Sequence, residues 1–127
     1  MNVTSEHRDG VRYPIQLLAS FTVGNTEGRE DGFTMDLSPR GCCLSVKEPL
    51  PLWRSLSLVL RPPDDDATIA IERAEVRWAM GNRCGIEFLS MSRTNQDRLR
   101  RYLVEYEALH RDDQFSSPSD LVTAKRP

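Results

Sequence analysis

The chain has 127 residues and a formal charge of −2, with 17 Lys and Arg against 19 Asp and Glu. That length builds one core and is too short for two domains. The near-balanced charge gives no global basic field to hold nucleic acid or an anionic membrane, so any anion site must be local.

No apolar run approaches the ~18 residues of a membrane span, and no basic segment leads into an apolar stretch near Met1. A soluble, cytoplasmic protein without membrane insertion is expected. Cys42, Cys43 and Cys84 make an odd number, and an adjacent pair closes only a strained ring, so a disulfide framework is not expected. His7 and His110 have no ligand-like spacing to the thiols, which leaves no metal site in the pattern.

The first polar cluster, Arg8-Asp-Gly-Val-Arg12, precedes any regular element. Two guanidiniums on a glycine-containing loop can wrap around phosphates, because each presents a rigid fork of donors. From Ile15 the apolar residues Ile15, Leu17, Ala19, Phe21 and Val23 recur at every second position, which predicts a half-buried strand with Pro14 at its start. The polar stretch from Gly24 to Gly32 reads as a hairpin loop. Phe33, Met35 and Leu37 then predict the inward face of a second strand.

That strand runs into Asp36-Leu-Ser38-Pro-Arg-Gly41, where Pro39 and Gly41 suit positions i+1 and i+3 of a type I turn beginning at Ser38. Cys42, Leu44 and Val46 mark a third strand, and Leu56, Leu58 and Leu60 a fourth that stops at Pro62-Pro63. The run Asp64-Asp65-Asp66 lacks the alternating ligands and glycine of a calcium loop and reads as a solvated turn. Ile69 and Ile71, then Ala74, Val76 and Trp78, predict a long fifth strand whose face changes at a bulge near Arg73, with Trp78 expected in the core and an edge near a binding pocket as the alternative. Gly81-Asn82 turns the chain into a sixth strand through Cys84, Ile86 and Phe88. Six short strands with hairpin-length links imply an antiparallel sheet closed as a barrel or folded as a sandwich.

After Ser90 the period becomes helical. Leu99, Tyr102, Leu103 and Tyr106 form an apolar stripe, Thr94 is the expected N-cap, and the helix is expected to flank its own sheet. From Arg111 the composition is polar and the chain is expected to be a flexible tail.

Arg-x-x-x-Arg followed by Asp-x-Ser-x-x-Gly resembles the PilZ domain, a bacterial receptor module for cyclic di-GMP. The later Ala74-Glu-Val76-Arg-Trp78 and Cys84-Gly85-Ile86-Glu-Phe88 resemble the paired late strands of the same family. The resemblance implies an all-β fold with a C-terminal helix, a six-stranded antiparallel barrel over residues 6–107, and leaves 108–127 as a polar tail. It implies that Arg8 and Arg12 hold phosphates and the Hoogsteen edge of guanine. It also implies that Asp36 and Ser38 contact guanine or phosphate from the barrel side, and that Gly41 permits the turn and a close approach. Many members carry an arginine where this chain has His7, which leaves the number of bound nucleotides open.

The function so implied is a receptor that needs no cofactor, closes its N-terminal loop on cyclic di-GMP and signals to a protein partner. A ligand-independent adaptor is the alternative, and the presence of both clusters disfavours it. An enzyme is not expected, since no nucleophile and base are suitably spaced. A nucleic-acid binder is disfavoured by the negative charge and by the lack of a basic aromatic strip.

Overall fold

Period-two alternation folds into six strands: β1 (Leu18–Val23), β2 (Glu30–Ser38), β3 (Gly41–Ser45), β4 (Ser55–Arg61), β5 (Ile69–Met80) and β6 (Arg83–Ser90), followed by helix α1 (Arg93–Ser116). The computed structural model describes residues 11–24, 28–63 and 67–116, with side chains described to residue 110 in the last segment. Helix α1 continues to Ser116, so the first part of the expected tail, 108–116, is helical, while Arg8, the Asp64–Asp66 triplet and residues 117–127 lie outside the described residues. No helix among the described residues is long and apolar enough to cross a membrane.

The strands close into a barrel in the order β1-β2-β3-β6-β5-β4, which decides between the barrel and the sandwich. Two antiparallel three-stranded meanders, β1 to β3 and β4 to β6, join through β3 with β6 and β1 with β4. Inward rows meet in a single core: Leu17, Ala19 and Phe21; Leu56, Leu58 and Leu60; Ile69, Ile71, Ala74 and Val76; Cys84 and Ile86. Each large apolar side chain removed from water contributes about 1.5–3 kcal/mol.

Two phase shifts depart from simple alternation. In β2, Thr34 pairs with Leu44 and Asp36 with Cys43, so Met35 is an extra residue in the ladder. The phase flips there. Phe33, expected inside, is 55% exposed, while Thr34 is fully buried and Leu37 points inward again beyond the bulge. Gly32 belongs to β2 rather than to the hairpin loop, because its backbone lies so close to the Ser45 carbonyl that a Cβ would collide with it.

In β5 the expected change of face near Arg73 is present as a register shift between Arg73 and Ala74. A second shift follows, with Val76 opposite Ile86 and Trp78 opposite Gly85, so that Arg77 is the extra residue. This corrects the expectation for Trp78. Its side chain turns out of the core and is 44% exposed.

Helix α1 closes over the start of β5, with Leu99 and Leu103 inserted in the core. Its N-cap is Ser92, not Thr94. The Ser92 carbonyl accepts the first helical bond from Gln96 N at 2.9 Å, and its Oγ accepts from Asn95 N at 3.2 Å. Asn95 Oδ1 in turn accepts from Ala70 N at 2.9 Å, which ties the first turn of the helix to β5.

Thr34 supplies the polar joint of the barrel wall. Its hydroxyl donates to Ile15 O at 2.7 Å and accepts from Leu17 N at 2.8 Å, satisfying two backbone groups just ahead of β1. Thr34→Val keeps the shape and leaves both groups buried without a partner. We expect it to destabilise the fold by about 1–3 kcal/mol, read as a lower midpoint in urea unfolding at constant slope.

Candidate ligand-binding site

The segment before β1 is fixed by backbone bonds: Tyr13 N donates to Leu37 O and Leu37 N to Tyr13 O, each at 2.9 Å. This clamp sets Arg12 beside β2. Arg12 Nη1 reaches Asp36 Oδ1 at 2.7 Å, and the same oxygen accepts from Cys43 N at 2.9 Å. The bulge at Met35 is what turns Asp36 toward this outer face. Both partners of the ion pair remain partly solvated, so the pair orients the guanidinium more than it stabilises the fold.

Ser38 is buried, and its hydroxyl is engaged within the turn. Oγ accepts from Arg40 N and Gly41 N and donates to Gly41 O, each at 3.2 Å. The turn therefore spans Ser38 to Gly41 and carries Arg40 at its tip. Gly41 has a second duty: a Cβ there would run into the Ile86 carbonyl, so glycine is what lets β3 approach β6 at this point. Of the five residues singled out in the sequence, Arg12, Asp36, Ser38 and Gly41 are brought together here. Arg8 lies outside the described residues.

Four further side chains, Arg40, Arg77, Trp78 and Glu87, complete the site. A depression of about 360 Å³ is lined by Arg12, Ser38, Arg40, Arg77, Trp78 and Glu87, with the Gly85 backbone in its wall. The Trp78 indole lies across Gly85 in the space that a Cβ would occupy, and so presents a flat apolar face. Arg77 is paired with Glu87, Nη2 to Oε1 at 2.5 Å, and its Nε lies 3.4 Å from Glu75 Oε1. Its guanidinium carbon sits 5.0 Å from the Trp53 ring centroid. Arg40 takes part in no ion pair among the described residues.

Two arginines are thus oriented by carboxylates, a third is unpaired, and an aromatic face lies beside them. That combination suits a planar base carrying a phosphate. Arg40 and Arg77 are not singled out by the sequence, and Trp78 is expected there chiefly as a core residue. A glycine opposite a tryptophan in paired strands was the available signal, since a strand glycine marks close approach.

The same segment touches the helix. The Tyr13 ring meets Tyr106 edge-on with centroids 5.8 Å apart, and its hydroxyl donates to Glu107 Oε1 at 3.2 Å. His110 stacks on Tyr106 at 4.0 Å. Among the described residues no group of three or more His, Cys, Asp or Glu is placed to share a metal ion.

The three cysteines are free and buried. Burial pushes the Cys84 thiol up to about 11 and raises Cys42 further still, and Cys43 is raised first by burial and then by the Asp36 carboxylate. Cys42 and Cys84 are held far enough above the ordinary thiol range to stay protonated and weakly nucleophilic. We expect iodoacetamide to alkylate the native protein slowly at mildly alkaline pH and to label all three cysteines rapidly in denaturant, as counted by intact mass.

A model of the PilZ domain family matches residues 5–105 of the chain. Among solved structures, the chain is similar to the crystal structure of the PilZ domain of CeSA from a cellulose-synthesizing bacterium, with a TM-score of 0.61 at 16% identity over 77% of this chain and 99% of that one. It is also similar to the Bacillus subtilis inhibitor of motility, MotI/DgrA, with a TM-score of 0.67 at 20% identity over 80% of this chain and 51% of that one. The chain therefore spans about half the length of the second protein. At these identities the likeness concerns the fold. A search of curated proteins returned no significant match.

Proposed function

Since the chain belongs to the PilZ domain family, we propose that it is a cytoplasmic receptor for cyclic di-GMP that closes its N-terminal segment over the nucleotide and passes the change to a protein partner. The observation that carries this reading is the Arg12 fork, held by Asp36 at 2.7 Å on the rim of a depression that also offers Arg40, Arg77 and the face of Trp78.

The chemistry matches the ligand group by group. Arg8 and Arg12 take phosphates and the O6 and N7 acceptors of guanine, while the Asp36 carboxylate accepts from N1 and N2. Ser38 and Gly41 form the turn against which the nucleotide rests, the Ser38 hydroxyl holding that turn from within, and Trp78 gives a purine an apolar surface to stack on. The ion pairs already present are half exposed, so exchanging a carboxylate for a phosphate at Arg12 costs little. The protein acts by binding, without catalysis and without a cofactor. Its receptor unit is residues 6–107, with residues 108–127 as a polar extension.

Helix contact offers a route outward. Tyr13 follows Arg12 directly and touches Tyr106 and Glu107, so a displacement of the N-terminal segment reaches the surface of α1.

Isothermal calorimetry tests the assignment. Cyclic di-GMP should bind and cyclic di-AMP should not, because adenine reverses the donors and acceptors that Arg and Asp read. Comparable binding of the two would defeat the proposal, and binding of neither would favour a ligand-independent adaptor.

Arg12→Ala should cost about 1–3 kcal/mol, on the order of ten- to a hundredfold in affinity, while Arg98→Ala on the helix should change it much less. Equal affinity in the two folded variants would move the site elsewhere.

A further inference from the structure

Trp53, in the link between β3 and β4, has a φ of 68°, and among the described residues no other non-glycine residue has a positive φ. For a bulky side chain that conformation is strained by about 1–3 kcal/mol. Burial does not offset it, because the side chain is 57% exposed. The link is instead stitched to β5 on both sides of one residue: Trp53 N donates to Val76 O at 2.8 Å, and Val76 N donates to Arg54 O at 2.9 Å. The residue after Val76 is Arg77, the extra residue of the β5 bulge.

The strain therefore has a geometric product. It lays the indole against the Arg77 guanidinium, 5.0 Å from ring centroid to Cζ. Glu75 and Glu87 hold Nε and Nη2, and Nη1 has no partner among the described residues. Arg77 lines the same depression as Arg12 and Trp78. A guanidinium on a long, exposed stem would otherwise sample many rotamers, and ordering it on binding would cost affinity.

On the reading of that depression as a nucleotide site, we infer that Trp53 is a positioning residue: its indole is a shelf that keeps Arg77 oriented toward the phosphate or guanine of the ligand. The role is distinct from that of Trp78, which faces the depression itself.

Trp53→Gly separates the shelf from the strain, because glycine accepts a positive φ freely and carries no ring. We expect an unchanged or raised melting temperature together with cyclic di-GMP affinity about three- to tenfold weaker by calorimetry. Trp53→Phe, which keeps an aromatic face, should recover most of that affinity. In an Arg77→Ala background, Trp53→Gly should add no further loss.

A folded Trp53→Gly protein that binds like wild type would overturn the inference, as would an equal loss with and without Arg77. A joint fall in stability and affinity would mark a merely structural residue and overturn it too. Wild-type protein that binds no cyclic di-GMP would instead remove the reading of the site, and the role given to Trp53 with it.

Discussion

Closure of a six-stranded sheet on itself fixes the rest of this molecule. Every strand has two partners, so the period of two cannot drift, and a residue added to one strand must turn the following side chains over. Met35 and Arg77 are such additions. They do opposite things to what a core needs: one brings Asp36 toward the outer wall, and the other turns Trp78 out of it. The pairs Asp36 with Cys43, Cys43 with Gly85 and Gly85 with Trp78 then form one row across four strands. At ordinary strand spacing that row is about 14 Å long. A binding surface is thus laid down by register alone, before any loop contributes.

The charges along that surface answer one another. Arg12 leans on Asp36 and Arg77 on Glu87, which keeps both guanidiniums ordered without making the region strongly basic. This reconciles a chain of charge −2 with anion chemistry. Because such pairs are solvated, their net worth is small, and an anion with better geometry can replace a carboxylate at modest cost. Selectivity then rests on shape and on the fixed directions of the forks rather than on field strength.

Much of this was legible from residue order. Alternation gave all six strands and the inward rows of β1, β4 and β6, and the Ser38 to Gly41 turn follows from Pro39 and Gly41. The bulge near Arg73 was visible because Glu72 and Arg73 interrupt two apolar pairs. The shifts at Met35 and Arg77 were not, since nothing in Phe33-Thr-Met-Asp36 or Val76-Arg-Trp78 breaks an alternating pattern. Alternation alone accordingly puts Phe33 and Trp78 on the inward face. Arg40 and Arg77 carry no mark in the sequence for a related reason: an exposed arginine on a turn or strand looks like any solvated charge until its neighbours are known. Ser92 and Thr94 both carry a hydroxyl suited to an N-cap, and only the bond from Asn95 N to Ser92 Oγ distinguishes them.

A barrel without a free edge also constrains who can speak to it. Proteins often join by adding a strand to an open sheet, letting the main chain supply affinity while side chains sort partners. Here both flanks of β1 through β6 are already hydrogen-bonded to neighbours. Main-chain annealing, whether by a legitimate partner or by a second misfolding copy, finds no template on the wall. Whatever recognises this protein must read side chains, loops or the helix, so its contacts can be altered one residue at a time without disturbing the ladder beneath.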